Sequence, residues 1–368
     1  VGAGTGGYDL IGRHAFNAFG RVFLQGGGRF DAGVGYAFAG LGNPTFSLSA
    51  TQFWDDDGVR LARRDASAPF DTLFVLERER AVSAAVTGVV PSWRRNLGVT
   101  LAGALVEQDA ELLDNDLGPS TSYALARPSA LLGDARATLL FSTGRSYAFQ
   151  LGGSRGFDVY LSGRIRRELS LPDSLTGVVG QDRSLDDLVG RVRGYLPLGG
   201  PGHAPHVLAV QVAGGVARGP DAPGGHFEVG GASGRPETVT GLSLFGGSPI
   251  FFPTRGYARG TRQGRVAWAA TGEYRFPLRL VHRGFGAWPV YLGRVVGSLF
   301  AEAGDAWDPG TAEPFLGATR RPMVSAGAEV AAEFVALYDF PLLLRLGLAV
   351  PLVDGGDPQV YLRLGLPF

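Results

Sequence analysis

The last nine residues, Val360-Tyr361-Leu362-Arg363-Leu364-Gly365-Leu366-Pro367-Phe368, constrain this chain more than any other stretch. Val360, Leu362, Leu364, Leu366 and Phe368 fall on one face of a period-two strand, and Tyr361, Arg363, Gly365 and Pro367 fall on the other. A soluble sheet alternates in the same way when its apolar face covers a core. A final strand that ends on an aromatic residue and carries arginine on its second face fits another solvent. Its apolar face meets lipid and its polar face meets a lumen.

The same alternation recurs along the whole chain. Residues 14–24, 29–39, 45–54, 70–86, 93–106, 130–142, 150–168, 185–196 and 206–217 read as strands, as do 264–276, 290–303, 323–335, 340–351 and 359–368. A short strand within 227–250 and a truncated one at 1–7 bring the expected number to sixteen. The faces agree between strands. Leu342, Leu344, Leu346, Leu348 and Val350 share one face, and Arg345, Gly347 and Ala349 share the other. Val324, Ala326, Ala328, Val330 and Phe334 likewise oppose Ser325, Gly327, Glu329 and Glu333. Arg191 and Arg193 also share a face. Charges in mid-strand are costly in a dry core and natural in a water-filled lumen. The expected fold is therefore all-β, a 16-stranded antiparallel transmembrane β-barrel forming one domain over 1–368. A soluble two-sheet sandwich is the alternative, and it requires these arginines on a solvent-facing outer surface. Trp54, Trp93, Trp268, Trp288 and Trp307 fall mostly near strand ends, as interfacial girdles do. The segments 109–127, 172–184, 197–205 and 218–264 read as long loops of that one domain.

Composition narrows the solvent and the chemistry. No run near 20 residues is apolar throughout, so no spanning helix is expected. Glycine, at 58 residues, disfavours helices by about 1 kcal/mol at each interior position. There is no cysteine, which excludes disulfides and thiolate metal sites. The 34 basic residues, all arginine, balance 34 acidic ones, and no basic block offers a footprint for nucleic acid. The sequence opens at Val1 without a charged and apolar leader. A removed leader, or a longer protein preceding a truncated first strand, is the expectation.

Several short patterns resemble catalytic or ligand motifs and lack the context these need. Gly2-Ala3-Gly4-Thr5-Gly6-Gly7 has dinucleotide-binding glycine spacing but no preceding strand and no following helix. Gly152-Gly153-Ser154-Arg155-Gly156 has the spacing of a nucleophile elbow but lies in a β segment. Asp55-Asp56-Asp57-Gly58 reads as a solvated hairpin loop rather than a calcium site. His14, His203, His206, His226 and His282 show no metal spacing. No catalytic residues, metal or cofactor are assigned, and the chain is expected not to be an enzyme.

One group of motifs carries a family resemblance. Phe252-Pro253-Thr254-Arg255-Gly256-Tyr257 is followed by Gly272-Glu273-Tyr274-Arg275-Phe276-Pro277-Leu278 and then by Phe300-Ala301-Glu302-Ala303-Gly304-Asp305. In order and spacing, together with the terminal Phe368, these resemble the barrel of the BamA/TamA/FhaC-type outer-membrane assembly and secretion superfamily, the bacterial surface antigen family. The resemblance implies that the sixth extracellular loop, about 231–264, folds back into the lumen. Arg255 would then meet the inner wall at Glu302, with Gly256 turning tightly and Tyr257 packing beside it. Phe300, Gly304, Glu273 and Arg275 would line the wall around them, and Glu302 stands where the family usually has aspartate. Leu364, Gly365, Leu366 and Phe368 would form the closing-strand signal. Gly365 and Pro367 would weaken that strand's pairing.

The resemblance further implies an integral place in the outer membrane of a Gram-negative bacterium, among lipid and lipopolysaccharide. The implied function is assembly or translocation of client outer-membrane proteins, through a lateral seam between first and last strands that opens for β-augmentation. Other subunits of a membrane complex are also candidate partners. Family members carry soluble periplasmic domains ahead of the barrel, and none lies within this sequence. That leaves two further readings: a membrane anchor for a missing N-terminal domain, or a passive channel or structural subunit.

Overall fold

The computed structural model describes residues 2–23, 29–63, 71–112, 124–125, 129–146, 152–170, 182–219, 227–231, 252–286, 288–309, 321–336, 340–353 and 355–365. Among these there is no helix. The strands are β1 (Gly2–Tyr8), β2 (His14–Val22), β3 (Phe30–Phe38), β4 (Thr45–Arg63), β5 (Asp71–Pro91), β6 (Asn96–Leu112), β7 (Ala124–Leu125), β8 (Ser129–Ser142) and β9 (Gly156–Glu168). They continue with β10 (Leu185–Leu198), β11 (His206–Arg218), β12 (Phe227–Val229), β13 (Arg262–Gly264), β14 (Val266–Phe285), β15 (Trp288–Trp307), β16 (Met323–Ala336), β17 (Phe340–Pro351) and β18 (Gln359–Gly365).

The wall is one antiparallel meander in the order β1-β2-β3-β4-β5-β6-β8-β9-β10-β11-β14-β15-β16-β17-β18, with β7 paired to the end of β4. A separate ribbon joins β12 to β13. The short strand expected within 227–250 is present as Phe227–Val229, which pairs with Arg262–Gly264 apart from the described wall; 232–250 lies outside the described residues. The described path has fifteen strands, and β1 and β18 are not paired with one another within it. Because the count is odd, β1 and β18 run in the same direction. Among the described residues, the loop expected as the sixth follows the connections 23–29, 64–70, 113–128 and 169–184 at its end of the sheet.

β14 and β15 also run past their expected limits of 276 and 290, to Phe285 and Trp288. Register shifts between Pro277 and Arg279 and between Leu280 and Arg283 absorb the proline and break the period-two pattern. Alternation therefore stops being readable where the hairpin does not stop.

Burial runs opposite to that of a soluble sheet. Leu48, Val82, Leu101, Leu105, Ile165, Leu188, Val192, Val212, Leu299, Val330, Leu346, Leu348, Val360 and Leu362 are exposed on one face. The other face buries Asp31, Gln108, Glu273, Glu302 and Glu329. It also holds ion pairs between neighbouring strands, Arg164–Asp187 at 2.7 Å and Arg166–Asp134 at 3.0 Å. A sandwich would hide the leucines and expose the arginines, so the two-sheet alternative fails.

The polar face is concave. Glu302 on β15 and Tyr361 on β18 lie three strand spacings apart, roughly 14 Å on a flat sheet with parallel side chains. Both nevertheless bond one guanidinium, that of Arg255. Aromatic residues gather on the outer face near the shorter connections, where Phe16 pairs in register with Tyr36 and Phe141 meets Phe157 at 5.6 Å between ring centroids. Tyr274 and Phe276 continue the row at 5.9 Å, and Trp288 is exposed at the same end. This ring is built mainly from phenylalanine and tyrosine, with tryptophan a minor part of it.

Candidate functional site: a clamp on the concave face

The chain between β11 and β14 returns to the concave face as a short stem. β12 pairs with β13, and isolated bridges join Val229 to Phe252 and Gly231 to Thr254. Phe227, Val229, Phe252 and Tyr257 pack against Leu185 and Val189 of β10, Ala213 and Ala217 of β11, Ala267 and Ala269 of β14, Ala306 of β15 and Met323 of β16. The alanines explain how the stem fits, since larger inward side chains on β11 and β14 would fill its space. Each large apolar side chain buried there contributes roughly 1.5–3 kcal/mol.

At the tip of the stem, Arg255 is 4% exposed and bonds in three directions. Its backbone N–H donates to Glu302 Oε2 at 2.7 Å, and its Nε donates to Glu302 Oε1 at 2.8 Å. Nη2 lies 2.6 Å from the same Oε1. Nη1 donates to Glu329 Oε2 at 3.3 Å and to the Tyr361 hydroxyl at 3.2 Å. The guanidinium carbon sits 3.4 Å from the centre of the Phe300 ring, a cation–π contact. Burial works against the Arg255 charge, but Glu302 outweighs it and holds the group protonated above its ordinary range. Two glycines make this geometry reachable. Gly256 has φ 88°, and a Cβ there would also press on the backbone nitrogen of Pro351 at 3.2 Å. A Cβ on Gly304 would lie 2.9 Å from both Thr254 Oγ1 and Val229 Cγ1, so its absence admits the stem.

Tyr257 is fully buried, its hydroxyl between the carbonyls of Val324 at 3.0 Å and Val353 at 2.8 Å. It thereby ties the stem to the start of β16 and to the connection before β18. Glu273 lies in the same chamber but accepts from Arg275, at 2.9 Å from Nε and 2.6 Å from Nη2. Leu364 and Gly365 pair in register with Leu344 and Leu343 on β17. Leu366 and Phe368 lie outside the described residues.

The sequence did not single out Glu329, which joins the clamp to the last strand. One oxygen accepts from Arg345 Nη1 at 3.0 Å, and the other from Tyr361 at 2.9 Å and Arg363 Nη2 at 2.7 Å, beside Arg255. Its side chain is 1% exposed. The alternation placed Glu329, Arg345, Tyr361 and Arg363 on polar faces of three consecutive strands. That four charged or hydroxyl groups meet in one network depends on the curvature.

No protein-family model matches the chain, and no curated protein matches it in sequence. Solved structures do. BamA from Haemophilus ducreyi lacking POTRA domains 1–3 aligns over 99% of this chain and 68% of that one, with a TM-score of 0.52 and 16% identity. CdiB from Escherichia coli aligns over 100% of this chain and 59% of that one, with a TM-score of 0.59 and 10% identity. The chain therefore spans about three fifths of the CdiB chain. At these identities the likeness is one of architecture: the chain has a BamA- and CdiB-type β fold.

Proposed function

We propose that this chain is the membrane barrel of an outer-membrane protein assembly or translocation factor, acting on client proteins through the edge strands β1 and β18. The reading begins with solvent: an outward face of exposed leucine and valine with an ion-paired concave face suits a wall standing in lipid. The fold likeness to BamA and CdiB supports a role of that general kind. The observation that carries the reading is the hold on β18: Tyr361 and Arg363 are gripped from inside by Glu329 and Arg255, so the strand that would offer its edge to β-augmentation is positioned by the clamp.

The test is a folding assay. A urea-denatured outer-membrane barrel protein is added to liposomes with and without this chain, in outer-membrane lipid containing lipopolysaccharide. Accelerated client folding is expected. Thr5→Cys with Leu362→Cys, joined by a thiol-reactive cross-linker that carries a reducible bond, is expected to abolish it and reduction to restore it, with no native cysteine to interfere. Unchanged client folding with large steady ion currents would instead make the chain a passive channel. Unchanged folding with no currents would leave the anchor reading.

A further inference from the structure

Just inside the Arg255 tip lies a cavity of about 130 Å³ whose charge is unbalanced. Its lining includes five arginines, Arg193, Arg255, Arg275, Arg345 and Arg363, and only two carboxylates, Glu273 and Glu302. Both carboxylates are already engaged, Glu302 with Arg255 and Glu273 with Arg275. Glu329, the nearest further carboxylate in the network, bonds Arg345 and Arg363. The Nε of Arg193 is buried and has no hydrogen-bond partner among the described residues. Arg191 stands two residues away on the same face, its guanidinium 5.7 Å from the Tyr160 ring centre. Two like charges on one strand face repel, and a buried donor left unbonded costs free energy.

The register sets polar groups beside Arg193. Asp158 on β9 pairs with Arg193 on one side and accepts from the Ser142 hydroxyl at 2.6 Å; Gln211 on β11 pairs with Arg193 on the other side, and Thr271 on β14 pairs with Gln211. Arg193, Gln211 and Thr271 line the cavity. A row of cation and amide is a receptor for an acceptor-only group, while the Thr271 hydroxyl at its end already donates to Glu302 at 3.5 Å. At about 30 Å³ per water, the space holds a tetrahedral oxyanion with one or two waters.

We propose that this luminal cavity binds a small oxyanion, a phosphate or carboxylate group, with Arg193 as its main ligand and Gln211 and Arg275 beside it. The group is either a free ion or an acidic group of a polypeptide in the lumen. The site stands independently of the proposed assembly function, because its test needs no client.

The full chain is purified in detergent and its thermal unfolding followed against inorganic phosphate, with ionic strength held constant by sodium chloride. A parallel series uses acetylated tetraglutamate. Wild type is expected to show a saturable rise in unfolding midpoint, as mass action requires for a ligand of the folded state. Arg193→Gln should abolish the rise and Arg193→Lys should weaken it. Gln211→Leu removes a neutral ligand outside the clamp and should raise the phosphate concentration needed for half the shift, which keeps the test open should Arg193→Gln not fold. A rise with phosphate alone assigns a free-ion site, and a rise with the peptide as well assigns a site for acidic side chains. No rise with either probe, or an equal non-saturating drift in wild type and variants, overturns the proposal.

Discussion

At the scale of residues, Arg255 is held by a carboxylate that serves two parts of it at once. Glu302 receives both the backbone N–H and the guanidinium. Removing one partner of a buried ion pair leaves an uncompensated charge, at a cost of roughly 3–5 kcal/mol. Glu302→Ala should therefore lower the unfolding midpoint markedly and open 252–261 to protease. Glu302→Asp keeps the charge but shortens the reach, and should cost about 1 kcal/mol, the worth of one hydrogen bond. Wild-type protease resistance in Glu302→Ala would show that the pair does not hold the loop. The motif residues Arg255, Gly256, Tyr257, Phe300, Glu302 and Gly304 were legible because their types and spacing are unusual. Glu329 was not, because one of two glutamates among alanines on a strand reads as generic lumen lining and its partners come from other strands.

At the scale of elements, β18 is seven residues long and has one hydrogen-bonded neighbour among the described residues, β17. Tyr361 and Arg363 fasten it from the concave side through Glu329. Hydrogen bonds to a charged group are worth about 1.5–3 kcal/mol each. Glu329→Gln should speed amide exchange in Gln359–Gly365 by about tenfold or more, since each 1.4 kcal/mol of local opening energy is a factor of ten. Exchange in β5 and β6, far from the network, should stay as it was. Equal acceleration everywhere would mean global destabilisation and no specific hold on β18. Period-two alternation located the long wall strands well, because each must separate two solvents along its length. β12 falls within the short strand expected in 227–250, but its pairing with β13 escaped, since three residues carry no period, and the far halves of β14 and β15 lay hidden behind the bulge at Pro277.

For the whole molecule, the inverted burial makes a direct prediction. Leu346 stands in the middle of β17 with its side chain exposed, flanked by Leu344 and Leu348 on the same face. Leu346→Arg should destabilise the chain in liposomes by about 2–4 kcal/mol if that face meets the middle of a bilayer. A wild-type folding midpoint in lipid for this variant would remove the membrane from the account. The meander's odd number has a consequence of its own. β1 and β18 both descend from the end bearing the long loops, so joining them directly would form a parallel ladder. One strand ascending between them makes the ring antiparallel throughout. A segment that pairs antiparallel with both edges therefore stands with its amino end at the short-turn side and its carboxyl end among the long loops, and a segment set the other way round runs parallel to both neighbours at once.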